Sequence, residues 1–153
     1  MTDPKSLRVV KAVQGALEQI QKPDYNTDAG TRITRGRRRI STGETFPLII
    51  IHEGEEEVVR RVGVEQAQNR LNITIEGWIQ ADPLNPLDDA HLLLADIKKS
   101  MFPALESRNN PGLIVQVQYL GRVIDPPEDG SRSCSVSVLL AIDWTEHLTD
   151  PTK

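Results

Sequence analysis

Four arginines within five residues form the densest group of side chains that could do chemistry in this chain. Arg35, Arg37, Arg38 and Arg39 surround Gly36. A guanidinium carries a fixed positive charge and a planar fork of N–H donors, so two or three of them can converge on a phosphate or on the carboxylates of a partner. The cluster is therefore a candidate contact for a phosphate or for a partner's carboxylates. The alternative interpretation is an exposed turn whose charges are only solvated.

A second charged segment has mostly the opposite sign. Its members are Glu53, Glu55, Glu56, Glu57, Arg60 and Arg61. Neighbouring carboxylates could gather a cation, but a solvated acidic loop is the more ordinary arrangement. We predict a protruding loop or hairpin tip here and treat it as a candidate partner-contact surface. In a symmetric ring, the arginines of one subunit could meet the acids of the next subunit in a heterologous contact.

The other reactive side chains do not form a recognisable site. His52, His91 and His147 are far apart, and the sequence has neither a Cys pair nor an HExxH spacing that would indicate zinc. Cys134 lies in an apolar strand pattern, where a thiol usually fills the core. The sequence also lacks a glycine-rich phosphate loop. We therefore expect no metal, no cofactor and no catalytic residues, and a protein that is not an enzyme.

Composition narrows the functional class further. The 153 residues carry a formal net charge of −4, whereas general nucleic-acid-binding domains usually have a basic excess. No apolar run approaches the roughly 20 residues that span a bilayer, and the N-terminus has no signal-peptide core. The single cysteine suits a reducing cytoplasm. We expect one soluble, unsecreted domain over residues 1–153 that makes no membrane contact.

The stretch from Arg70 to Phe102 predicts the central packing unit. Its first part alternates apolar and polar residues, which indicates a strand with one buried face. After Pro83 and Pro86 the apolar residues recur at helical spacing, which predicts an amphipathic helix with Asn85 as its N-cap. The apolar positions of this unit are Leu71, Ile73, Ile75, Leu87, Ala90, Leu94, Ile97 and Met101.

The remaining segments predict one more helix and four more strands. The helix covers about residues 4–21, and the strands cover about 31–35, 46–51, 113–119 and 134–144. The order is therefore α-β-β-β-α-β-β. This order predicts a single α+β domain with a mainly antiparallel or mixed β-sheet and two amphipathic helices packed on it. Residues 146–153 are expected to form a flexible tail.

Taken together, several segments resemble the tail-terminator, or tail-completion, proteins of long-tailed bacteriophages. The resemblance lies in YNTDAGTRITRGRRR, FPLIIIHEGEEE, LNITIEGWIQAD, DAHLLLADIKKSMF and the terminal strand with its preceding PPEDG turn. These segments cover nearly the whole chain in order, but none of them is a chemical fingerprint.

The resemblance implies a structural virion protein at the junction of tail and neck, assembled in the host cytoplasm. Such a protein forms a ring, as a homo-oligomer and most simply a hexamer, on the finished tail tube. There it stops addition of tube protein and presents a surface to the head-tail connector or stopper protein. Genomic DNA passes through the ring without sequence-specific binding. In such a ring, a subunit interface or a surface facing the channel is the expected location of Arg35, Arg37, Arg38 and Arg39. The alternatives are another neck component, such as a head-tail adaptor, or a small nucleic-acid-binding protein that uses the arginine cluster.

Overall fold

The computed structural model describes residues 2–37, 39–41 and 43–153, and this part of the chain forms an α+β domain with two α-helices and a five-stranded mixed sheet. Two short 3-10 helices lie at Ala29–Thr31 and Ser107–Asn109. The main elements are α1 (Lys5–Leu17), β1 (Ile33–Arg35), β2 (Leu48–Val62), β3 (Gln66–Gln80), α2 (Asp88–Ala104), β4 (Gln116–Asp125) and β5 (Ser133–His147). Their order along the chain is the predicted one.

The sheet has the strand order β1-β2-β3-β5-β4. β1 runs parallel to β2, and all the other neighbouring strands are antiparallel. β3 and β5 lie at the centre and pair along their whole lengths, from Gln66 opposite His147 to Gln80 opposite Ser133. This extensive pairing explains why the two cleanest alternating patterns in the sequence belong to β3 and β5.

Both helices contribute to one hydrophobic core on one face of the sheet. The predicted apolar positions of β5, from Cys134 to Trp144, are all buried there, as are Leu71, Ile73 and Ile75 of β3. α2 crosses β3 at Gly77, where a methyl group would lie 2.8 Å from Leu93 Cδ2. Gly77 therefore permits the close approach of the helix to the sheet.

Several predicted boundaries are wrong. α2 begins at Asp88 rather than Pro86, and its N-terminus has no side-chain cap, so Asn85 is not the N-cap. Instead, the Asn85 carbonyl accepts a hydrogen bond from the Asp88 backbone N–H at 3.2 Å. β4 begins at Gln116 and continues through Gly121. Gly121, with φ 129°, lies at a β-bulge after Tyr119, so the strand accommodates this glycine without ending.

The segment predicted as a protruding loop or hairpin tip is neither a loop nor only the tip of a hairpin. β2 continues as a strand to Val62, and the hairpin turns only at residues 63–65. The outer half of β2, residues 53–62, pairs with the first half of β3 and forms a long exposed arm. Its exposure explains the error, because an exposed polar strand lacks the apolar alternation by which strands are recognised.

The residues after β5 fold back against other elements. The Leu148 backbone N–H donates to the Glu65 carbonyl at 2.6 Å, and the Pro151 carbonyl accepts from the Lys5 backbone N–H at 2.9 Å. Residues 146 and 147 belong to β5 itself. The flexible tail expected at residues 146–153 concerns motion, so it stays a prediction.

Candidate assembly surfaces

The arginine cluster begins at the end of β1 and continues into the connection to β2. Arg35 is the last residue of β1 and lies opposite Ile51, and both Arg35 and Arg39 are exposed. Arg38 lies outside the described residues. The cluster is therefore located where β1 stops covering the edge of β2, immediately beside the beginning of the acidic arm.

Arg37 is held inside its own loop. Its guanidinium forms an ion pair with Glu44, and its Nε donates to the Arg39 carbonyl at 2.7 Å. Glu44 Oε1 also accepts a hydrogen bond from the Ser41 backbone N–H at 3.3 Å. The acid that pairs with Arg37 thus comes from the same loop. Glu44 is a single glutamate outside the dense group from Glu53 to Glu57, so charge clustering does not indicate it.

This loop covers part of the sheet face that the helices leave open. Ile40 and Trp78 line the same groove as Pro126 and Pro127. At the base of the loop, the Arg32 guanidinium donates to the Pro47 carbonyl at 3.2 Å and ties the two ends of the loop together. The arginine cluster is therefore anchored to a folded surface through its neighbours.

The acidic arm presents its charges on an exposed strand edge. Glu53, Glu55, Glu56 and Glu57 precede Arg60 and Arg61 along β2, and all six residues are exposed. Glu57 lies 3.9 Å from the Arg70 guanidinium. Although Glu56 is exposed, partial desolvation of its carboxyl group raises its pKa, and the nearby Glu146 carboxylate raises it further. Among the described residues of one chain, no ion pair joins this arm to the arginine cluster.

The open face of the sheet carries an ion pair between Arg70 and Asp143 that no pattern in the sequence indicates. Asp143 is fully buried and accepts two hydrogen bonds from Arg70, at 2.8 and 3.0 Å. Gln116 donates to it at 2.8 Å and Gln68 at 3.4 Å. Although burial raises the pKa of Asp143, these hydrogen bonds and the Arg70 charge outweigh burial and hold it below its ordinary value. The pair links β3, β5 and β4 across the sheet.

Asp96 is a second buried carboxylate with a structural role. Its two oxygens accept hydrogen bonds from the backbone N–H groups and side chains of Asn26 and Thr27, at 2.8 to 3.0 Å. These bonds fasten the connection after α1 to α2. Within a strongly apolar helix pattern, Asp96 could have been recognised as a polar residue that needs a buried partner.

The described residues show no constellation that indicates chemistry. No group of three or more His, Cys, Asp or Glu side chains in this part of the chain is arranged to hold a metal ion. None of the described helices is both long and apolar enough to cross a membrane.

Comparison with known proteins supplies a relative in fold. The chain is similar to a chain in the virion of a native gene transfer agent particle, with a TM-score of 0.52 and 16% sequence identity over 88% of this chain and 96% of that chain. It also matches the sheath/tube terminator of an extracellular contractile injection system in its extended state, with a TM-score of 0.42 and 14% identity over 94% of this chain and 58% of that chain. No protein-family model matches the chain, and no curated protein sequence matches it. The chain therefore shares the fold of a virion component.

Proposed function

We propose that this protein is a structural virion component that caps a phage-type tail tube as a ring. In this role it ends polymerisation of the tube and offers the surface to which the head joins. The observation that carries the proposal is the fold shared with a chain of a gene transfer agent virion over nearly the whole of both chains. The segments that resemble tail-terminator proteins support the same role.

The distribution of charge is consistent with an assembly protein. One subunit presents an exposed acidic strand beside a cluster of arginines, which suits contacts between like subunits better than a site for a small substrate. The proposed partners are further copies of the chain, most simply six in a ring, the tail tube protein, and a head-tail connector or stopper protein. DNA passes through the ring without sequence-specific contacts. The protein is proposed to act as a non-enzymatic component at the junction of tail and neck, after assembly in the host cytoplasm.

The nucleic-acid-binding alternative is weakened by two features. Arg37 is paired with Glu44, so part of the basic cluster is already neutralised within the loop. The neighbouring strand carries four exposed glutamates, which repel a phosphate backbone.

The test is to delete the gene from the genome that encodes the particles. Tail length and head attachment are then measured by electron microscopy. A terminator leaves overlong tails without heads when it is missing, and the purified protein added back should bind one end of the tube. The copy number per particle should correspond to one ring of six. Tails of normal length that fail only to join heads would instead assign the protein to a head-tail adaptor role, and absence from purified particles would overturn the proposal.

A further inference from the structure

Each subunit presents two strand edges with unpaired backbone groups. Within the described chain, β4 pairs only with β5, and the outer half of β2 pairs only with β3. Such edges are templates for pairing with another strand, and monomeric proteins usually blunt or cover them. Here both edges carry exposed apolar side chains. Val58 and Val59 of β2 are 58% and 39% exposed, and Tyr119 and Leu120 of β4 are 46% and 53% exposed.

The directions of the two edges suit each other. β2 is antiparallel to β3, β3 to β5, and β5 to β4, so β4 runs opposite to β2 within one subunit. A second copy related to the first by rotation about an axis that runs broadly along the strands, although inclined to them, keeps this relation. Its β4 would therefore meet the β2 of the first copy as an antiparallel neighbour, without any reversal of the subunit.

The register of such a contact is restricted by β1. β1 pairs with Ile49–Ile51 and so occupies the inner part of the β2 edge. Only the outer half of β2 can accept a new strand, and the arriving β4 must be displaced toward the hairpin tip. Side chains that become cross-strand neighbours must also lie on the same face of the continuous sheet.

One register satisfies these conditions and matches charge. Arg122 of β4 lies opposite the core residue Val138, and Glu56 of β2 lies opposite the core residue Leu71, so both side chains lie on the helix-covered side of the sheet. In this register, the positive charge of Arg122 faces the negative charge of Glu56, which has Glu55 and Glu57 as its sequence neighbours.

The same register pairs exposed apolar side chains. It brings Tyr119 to Val58, with the extra residue of the β4 bulge, Leu120, lying between the matched positions. The raised pKa of Glu56 fits this arrangement, because a carboxylate disfavoured by partial desolvation and by Glu146 gains from an opposing guanidinium.

We propose that subunits join edge to edge, with β4 of one copy adding as an antiparallel strand to the outer half of β2 of the next copy and Arg122 facing Glu56. This inference rests on the ring of the proposed function and names the surface that closes it. The contact is heterologous, because each copy uses a different edge toward each neighbour, so it can be repeated around a closed ring. The acidic arm is then a subunit interface, and its glutamates contact the next copy rather than a metal or a soluble ligand.

Engineered cysteines test the contact directly. In a Cys134→Ser background, which removes the one native thiol, Glu56→Cys and Arg122→Cys are introduced singly and together. β3 and β5 separate β2 from β4 within one chain, so the two new cysteines cannot join inside a subunit. Directly opposed residues on paired antiparallel strands have Cβ atoms about 4.5–5.5 Å apart, close to the spacing of a disulfide.

Mild oxidation of assembled rings or of purified particles should link subunits of the double variant covalently. On a denaturing gel the products should form a series of bands that ends at the number of subunits in the ring. The single variants should stay monomeric on denaturing gels. Covalent dimers from Arg122→Cys alone would overturn the proposal in favour of a symmetric β4–β4 contact. Rings or particles that contain the double variant but give no such series of bands would overturn edge pairing while leaving the proposed function intact.

A charge exchange provides the matched functional test. Arg122→Glu and Glu56→Arg should each weaken ring formation at least fivefold, as measured by sedimentation velocity, whereas the double variant and a one-to-one mixture of the single variants should recover it. Arg108→Glu and Glu18→Arg, which make the same charge changes on exposed residues outside the sheet, serve as controls. Equal assembly of all these variants, with unchanged melting, would contradict the assigned register.

Discussion

At the scale of single residues, the buried Asp143 makes the most constrained interaction of the open sheet face. Its carboxylate oxygens accept four hydrogen bonds from three side chains. The neighbours Ile142 and Trp144 point into the core, so the alternation of β5 places Asp143 on the face away from the helices. Burial and pairing with Arg70 depend on which strands lie beside β5, and this information is absent from the periodicity of one segment.

We predict that Asp143→Asn destabilises the subunit at neutral pH. Loss of hydrogen bonds to a charged group costs about 1.5–3 kcal/mol, and the substitution also leaves the Arg70 charge without its partner. Because the folded-state pKa of Asp143 is depressed, its stabilising contribution is complete above the ordinary value of 3.8 and is lost as the pH falls through the lower folded value.

Urea denaturation at several pH values is the appropriate measurement for Asp143→Asn. The difference in the free energy of unfolding between the native protein and the variant should be largest near pH 7 and should shrink below pH 3.8. Asp125→Asn is the matched control, since Asp125 is an exposed carboxylate on the same sheet face. A difference independent of pH would show that charge on Asp143 contributes nothing.

At the scale of elements, apolar periodicity predicted the covered elements and missed the full extent of the uncovered strands β2 and β4. α1, α2, β3 and β5 all face one core, and their patterns of 3.6 and 2 residues are visible in the sequence. The outer half of β2 forms because β3 offers it a hydrogen-bonding partner, although its own residues are mostly glutamate and arginine. A tertiary contact decides the structure there, so no local reading of those residues could have extended the strand.

The helix phase of α2 is tested by two leucines of the same helix. Leu94 is 4% exposed and Leu92 is 45% exposed. Leu94→Ala should lower the free energy of unfolding by about 2–5 kcal/mol, because it leaves a cavity in the core. Leu92→Ala should change it by no more than about 0.5 kcal/mol, as is usual at the surface. Similar denaturation midpoints for the two variants would contradict the orientation of α2.

At the scale of the whole molecule, the arginine cluster and the acidic arm begin at neighbouring positions on the same edge of the sheet. The charges of the two segments predict that both are interaction surfaces, which could meet each other across subunits. In the structure, Arg37 is satisfied by Glu44, whereas the arm lies along a free strand edge. The proposed partner of the arm, Arg122, is isolated in the sequence, so a search for charge clusters could not find it.

We predict that replacing Arg37, Arg38 and Arg39 together by Ser impairs assembly without unfolding the subunit. An exposed ion pair contributes only about 0–1 kcal/mol, so the melting transition should barely change. Tail length and ring formation are the measurements, and overlong tails are the expected defect. A triple variant of Lys11, Arg108 and Lys153 to Ser removes the same charge from exposed residues outside the sheet. Normal tails in both variants would reduce the cluster to a solvated turn.

The displacement that β1 forces on an arriving strand also determines how a ring of these subunits must be inclined. Within one subunit Arg122 lies in the row of Ile51 and Ile75, whereas its proposed partner Glu56 lies in the row of Leu71, four positions away along β3. Each neighbour is thus shifted by about 13 Å along the strands for roughly 19 Å of sheet width across β2, β3, β5 and β4. For the subunits to form a closed ring and not a helical filament, their strands must be tilted by about 35° to the ring axis. This tilt is typical of closed β-barrels.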